Sequence, residues 1–210
     1  MDYSQIKTFE LRRKFWKFFG AEIYVSNPAA QNEIGFIKMK AWKLREDVRL
    51  FTDRSMQREV LQIHARQIID FGATYDVIDS SNQQPFFSMR RKGLKSTFVR
   101  DHWLLFDVNN NQFGSIEETS SGLALARRWI EIIPYVGPII GLVLSFVPQT
   151  YNLQLLQANG SQALGATITH RKNPFIVKML VDSSMAQVPV HPFVPLASGA
   201  LLSVIDAVKQ

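Results

Sequence analysis

The chain of 210 residues contains no cysteine. That excludes disulfide staples and thiolate metal sites, removes the most reactive nucleophile, and is compatible with a reducing compartment. Its histidines, His64, His102, His170 and His191, show neither metal-ligand spacing nor a recognisable nucleophile partner. A glycine-rich phosphate loop is missing, and Asp70 and Asp76 read as structural as readily as acid or base groups. These absences argue against an ordinary hydrolase or transferase. A clean apolar leader is lacking too, because Arg12, Arg13, Lys14 and Lys17 interrupt the first twenty residues. The expectation is a cytoplasmic protein with no signal peptide.

What is present describes a folded chain. Hydrophobic residues make up 46% and charged residues 20%, enough to build a substantial core and too apolar for disorder. A formal charge of +6 and a pI near 9.7 favour acidic partners, either nucleic acid or an anionic membrane leaflet.

The strongest pattern is a repeat. Asn27, Asp53, Asp79, Asp107 and Asn159 each sit between two alternating apolar stretches, at intervals of 26, 26, 28 and 52 residues. Tyr75, Val77 and Phe87, Met89 flank the turn at Asp79, and Trp103, Leu105 and Phe113, Ile116 flank the one at Asp107. Tyr24, Val25 and Phe36, Ile37 do so around Asn27, and Leu50, Phe51 and Leu61, Ile63 around Asp53. The fifth copy, Tyr151 to Ile168, turns on Asn159-Gly160, a strong short hairpin signal. Self-similarity of this kind means one supersecondary unit reused, here a β-hairpin. Further alternation at Trp42, Leu44, at Ile68, Ile69, Phe71 and at Ile176 to Val181 supplies linking strands. Ten to twelve strands exceed what an open twisted sheet holds without curling or closing.

The C-terminal segment differs in kind. Pro195 opens a run to Val208 that is apolar on nearly every face, which describes a buried helix of about 20 Å, too short for a bilayer core. A closed barrel of so many strands has a lumen that needs filling, and this helix is a natural plug.

Several local motifs carry a resemblance: Lys38 to Leu50 (with Lys40, Trp42, Lys43, Arg45), Ala65 to Phe71, Arg90-Arg91-Lys92-Gly93-Leu94-Lys95-Ser96, and Asp101-His102-Trp103. In these the chain resembles the phospholipid scramblase and LURP-one-related proteins of the tubby C-terminal-like superfamily, from about Phe9 to the end. The resemblance implies one domain over 1–210, a barrel of about twelve strands around a hydrophobic C-terminal helix (195–208), and phospholipid as partner. Lipid scrambling is its most ambitious implication.

Four segments are candidates for function. Residues 132–147 carry no charge, but they are fewer than the ~20 that a spanning helix needs, and Pro134, Gly137, Pro138 and Gly141 would break one. The strands that follow must rejoin the same barrel, so the segment reads either as core or as a re-entrant or interfacial loop. In the latter reading Trp129, Ile139, Ile140, Leu142 and Phe146 contact the bilayer. The surrounding 122–148 reads as an insertion that doubles one repeat interval. The basic-aromatic N-terminal segment (1–20), above all Leu11 to Phe19, reads as a membrane-surface element or as an edge strand. Arg90, Arg91, Lys92, Lys95 and Arg100 form the densest basic cluster, expected on one rim as a headgroup site or as a solvated loop. Asp107, Asn109, Asn111 and Glu118 occupy positions one, three, five and twelve of an EF-hand-like loop, the sole calcium candidate. Gln112 stands where glycine is required, and turn stabilisation accounts for the Asx residues.

The leading expectation is a non-enzymatic, membrane-associated protein that binds anionic phospholipid through basic residues and touches the bilayer through an apolar loop. The alternative is a soluble barrel that binds protein or, less well supported, nucleic acid.

Overall fold

The computed structural model describes residues 3–14, 20–40, 47–66, 72–92, 102–119, 148–171 and 177–208. Twelve strands follow one another: β1 (Thr8–Lys14), β2 (Gly20–Asn27), β3 (Asn32–Lys40), β4 (Asp47–Phe51), β5 (Glu59–Ala65) and β6 (Thr74–Asp79). Then come β7 (Gln84–Arg91), β8 (His102–Phe106), β9 (Gln112–Glu118), β10 (Gln149–Leu156), β11 (Gln162–Arg171) and β12 (Val177–Asp182), and a single helix, α1 (Phe193–Val208), ends the chain. Each strand pairs antiparallel with its sequence neighbours, and β1 pairs with β12 to close the barrel. The expected barrel of about twelve strands around a hydrophobic C-terminal helix is therefore observed, with α1 starting two residues earlier than Pro195. Pro195 sits in its first turn, where no intrahelical amide bond is lost.

The repeat is structural down to its irregularities. In each of the five hairpins the register slips just before the turn, at Val25/Ser26, Leu50/Phe51, Val77/Ile78, Leu105/Phe106 and Leu153/Gln154. Such bulges raise local twist, which helps a sheet curl to closure. Each turn then opens with an Asx side chain accepting a backbone N–H two residues on: Asn27 from Ala29, Asp53 from Ser55, Asp79 from Ser81, Asp107 from Asn109 and Asn159 from Ser161, all at 2.8–3.0 Å. Each turn also holds one left-handed residue, Gln31, Met56, Gln83, Asn110 and Gly160. Only the last is glycine.

A sixth copy escaped the sequence pattern. Asp182 Oδ1 accepts the Ser184 N–H at 2.8 Å in the same way, but the chain then runs to α1 and not to a return strand. The return strand is β1, reached across the barrel closure, with Ser183 N bonded to Lys7 O at 2.8 Å. The barrel is thus six hairpins, the sixth built from the two ends of the chain. The long interval before Asn159 hides no missing hairpin, because β9 pairs directly with β10; residues 120–147, which fill it, lie outside the described residues.

Alternation puts Phe9, Leu11, Ile23, Val25, Ile37, Leu61, Ile63, Val77, Met89, Trp103, Ile116, Tyr151, Ile168 and Val181 inside. Helix α1 fills the lumen, and every residue from Val194 to Val204 is buried, which explains a sequence apolar on all faces. Its two lumen hydroxyls are satisfied within the helix: Ser198 donates to Val194 O and Ser203 to Ala200 O, both at 2.7 Å. The helix lies nearest β12, β11 and β1, where Gly199, Ala166 and Val181 keep the wall thin. The bulk of Trp103, Tyr75, Tyr151 and Met89 fills the far side. At the helix entrance Tyr3 donates to Ile34 O at 2.8 Å and packs edge-on against Phe193, ring centroids 5.8 Å apart. Burial raises its phenol pKa to about 12, against a smaller opposing pull from Arg58.

The segment Leu11 to Phe19 is part strand: Leu11 to Lys14 belong to β1. It is not an edge, because β1 has partners on both sides. Phe15 to Phe19, and the linking strands expected at Trp42, Leu44 and at Ile68, Ile69, Phe71, lie outside the described residues.

Candidate functional site

Antiparallel order gives the barrel two unlike ends. All six Asx turns lie at one end, the turn rim. Every connection β1–β2, β3–β4, β5–β6, β7–β8, β9–β10 and β11–β12 joins strand ends at the opposite rim. By sequence those six connections carry Lys17, Lys43, Arg45, Lys95, Arg100, Arg127, Arg128 and Lys172 against Glu46, Asp70, Asp101 and Glu131. The strand ends feeding them add Arg12, Arg13, Lys38, Arg90, Arg91, Lys92 and Lys178. The turn rim instead presents Asp53, Asp79, Asp107 and Asp182. The net positive charge is therefore concentrated at one end of the barrel, where fields from adjacent groups add.

At the basic rim the carboxylates of the described residues are largely spoken for. Asp47 binds Arg49 at 2.9 Å, Asp76 binds Arg66 at 2.6 Å, Glu10 lies 3.4 Å from Lys178, and Glu117 lies 3.3 Å from His102. The bonds to Asp47 and Asp76 push the Arg49 and Arg66 pKa values up. Burial pushes the His102 imidazole down, against Glu117 and with the help of Lys92. Arg12, Lys38 and Lys92 have no carboxylate partner among the described residues, and they form the available cationic surface.

The predicted headgroup cluster is divided by the pleat. Arg90 leaves the outer face: its guanidinium stacks 4.4 Å over the Phe106 ring and donates to Asn110 Oδ1 at 3.3 Å. Arg91, one residue on, shares the inner face with Phe87 and Met89 and lies 5.8 Å from the Trp103 ring. Lys92 ends the strand, its N–H bonded to His102 O at 2.9 Å. Adjacent strand residues point to opposite faces, so Arg90 and Arg91 do not act as one cluster. Lys95 and Arg100 lie outside the described residues, as do Trp129, Ile139, Ile140, Leu142 and Phe146.

The calcium candidate comes apart. Asp107 accepts the N–H groups of Asn109 and Asn111 at 2.9 and 2.7 Å and the Asn111 side-chain amide at 3.1 Å, bonds that hold its pKa down, Asn111 foremost. Glu118 stands at the far end of β9, about 20 Å of strand away, buried and accepting from Gln149 Nε2 at 3.2 Å. The Asx residues build a turn, and no cluster of three or more His, Asp or Glu side chains suited to a metal exists among the described residues.

The sequence reading missed two features. Arg13 follows Phe9 and Leu11 onto the inner face of β1, where burial lowers its pKa. Arg12, on the outer face, is paired with Lys178, which is in turn paired with Arg171. The alternation of β1 and β12 marks Arg12 and Lys178 as outward, but only the closure register makes them neighbours.

Comparison with protein-family models, with curated proteins and with solved structures found no match for the chain.

Proposed function

We propose that this protein is a non-enzymatic barrel of the tubby C-terminal-like kind that docks its basic rim on an anionic phospholipid surface. The observation that carries the reading is the charge asymmetry. The basic strand ends, the aromatic-basic Phe15 to Phe19 and the apolar 132–147 are all joined at one rim, and the aspartates are at the other. Lys and Arg near an anionic leaflet each add about 1 kcal/mol, so a ring of them suffices for reversible, peripheral binding. No helix among the described residues is long and apolar enough to cross a membrane. Docking, more than lipid movement, is what the asymmetry supports.

Flotation with phosphatidylcholine vesicles, with and without an anionic lipid, tests it. The chain should float with anionic vesicles at low salt and lose most of that binding at high salt. Lys38→Gln and Lys92→Gln should each weaken it about fivefold, and removal of 134–147 should weaken it independently of salt. Failure of the intact chain to float with anionic vesicles at low salt ends the reading.

A second reading, a soluble module that binds protein, is favoured by the turn rim. Met56, Val108, Leu156 and Met185 are the exposed large hydrophobics among the described residues, and all four lie there. Beside them a groove of about 400 Å³ runs between Tyr3, Arg58, Asp79, Ser81 and Phe193. That reading expects no vesicle binding at any salt.

A further inference from the structure

The barrel closes where its charges agree least. On the outer face of the seam between β1 and β12, Arg12 is directly paired with Lys178, and Lys178 with Arg171 on β11. Three cationic positions thus stand side by side on consecutive strands, spanning about 10 Å. Like charges directly opposite across a ladder destabilise it. The local compensation is small: Glu10 reaches Lys178 at 3.4 Å, and Glu22 holds the Tyr24 hydroxyl at 3.1 Å beside the row. Arg12 is exposed and has no carboxylate partner among the described residues. On other strand pairs at this rim the charges are matched in register or across one strand, as with Arg49 and Asp47 or Arg66 and Asp76.

We propose that the Arg12–Lys178–Arg171 row is a binding site for a phosphate monoester or diphosphate, which bridges the first and last strands and completes the closure of the barrel. A multiply charged oxyanion supplies the charge the row lacks. It offers paired oxygens to a planar guanidinium and a point contact to the ammonium. Because the row spans the seam, the bound anion stabilises the closed barrel by mass action. This deepens the lipid-docking reading by naming the headgroup chemistry, and rests on it only for the lipid source of the phosphate.

Thermal unfolding of the full chain in sodium pyrophosphate, against sodium chloride at matched ionic strength, tests the site. Pyrophosphate at several times its dissociation constant should raise Tm on the order of 3 °C above the chloride control. Arg12→Gln and Lys178→Gln should each abolish that increment, and Arg58→Gln, which removes one charge at the turn rim, should keep it. Arg12→Gln should itself leave Tm at low salt unchanged or higher, because it relieves repulsion. Equal Tm in the two salts, or an increment that survives both seam variants, overturns the proposal.

Vesicles separate the sources. If Arg12→Gln weakens flotation with phosphatidic acid several-fold more than with phosphatidylglycerol, the phosphate is a lipid headgroup. If flotation is unchanged while the pyrophosphate increment is lost, the ligand is a free phosphate compound. Flotation without any pyrophosphate effect refutes the seam site and leaves the docking reading standing; the reverse result refutes docking and leaves the site.

Discussion

Gly199 of α1 approaches Val181 of β12 so closely that a Cβ on residue 199 would collide with the valine Cγ2. Glycine is disfavoured in a helix interior by about 1 kcal/mol relative to alanine. Here the wall dictates it, because the central helix runs off-axis against β12, β11 and β1. Val181 is fully buried and branched at Cβ, so it has no free rotamer into which to retreat.

Gly199→Ala should therefore lower stability by about 1–3 kcal/mol despite its better helix propensity. Combined with Val181→Ala, it should cost clearly less than the sum of the two single changes, because the valine methyls are what it strikes. Urea unfolding of the four proteins decides the matter, and strict additivity would refute the contact.

The hairpin turns hold non-glycine residues where the backbone is left-handed. Gln31 has φ 51°, whereas Gly160 has φ 79° at its turn. The left-handed region costs an L-residue roughly 1–2 kcal/mol, and glycine's extra freedom in the unfolded chain takes back about 0.5–1 kcal/mol. Gln31→Gly should raise stability by up to about 1 kcal/mol, and Gly160→Ala should lower it by about 1 kcal/mol or more. Chemical denaturation reads both signs.

Acid should loosen the turn rim first. Hydrogen bonds from Ser55 and Thr52 hold the Asp53 pKa down, and those from Asn111 and Asn109 do the same for Asp107. A folded-state pKa below the unfolded one means stability that is present above about pH 4 and lost as pH falls through the folded value. Asp53→Asn and Asp107→Asn keep an acceptor without the titration. The double variant should show a flatter fall of Tm between about pH 4 and pH 2 than the parent.

His191 closes the entrance to α1. Its Nδ1 accepts the Phe193 N–H at 3.3 Å, and its ring lies 4.7 Å from Phe86 and 5.1 Å from Phe193. Burial lowers its pKa, with Asp79 opposing, and His102 is lowered for the same first reason. Accepting from an amide requires the neutral ring, so protonation breaks the cap. The unfolded chain takes up the proton first: stability present above about pH 6.5 falls as pH drops through the folded values. His191→Asn, which retains a short acceptor, should remove part of the Tm loss between about pH 7 and pH 5 and leave the share due to His102.

Much of the fold was legible because its unit is local. A hairpin needs only an alternating stretch, an Asx turn and a second alternating stretch, and in the five copies at Asn27, Asp53, Asp79, Asp107 and Asn159 all of these lie within a short run of chain. The sixth copy was illegible for the complementary reason. Asp182 makes the same turn, but its return strand is β1, at the other end of the chain. The headgroup cluster was misread at Arg90 and Arg91 because linear density does not distinguish the two faces of a strand. Glu118 was grouped with Asp107 because loop spacing ignores that β9 carries it to the opposite rim.

The sequence alone determined the repeated hairpin, the all-round apolar C-terminal helix, and hence a closed barrel with a plug, since periodicity and turn chemistry act over a few residues. Tertiary structure alone decided which residues share an end and which share a face. A linear chain visits the two rims alternately, so the separation of cations from aspartates appears only after every second connection is gathered to one side. The meeting of Arg12 with Lys178 depends on the register of the last ladder to form, and no local rule contains it.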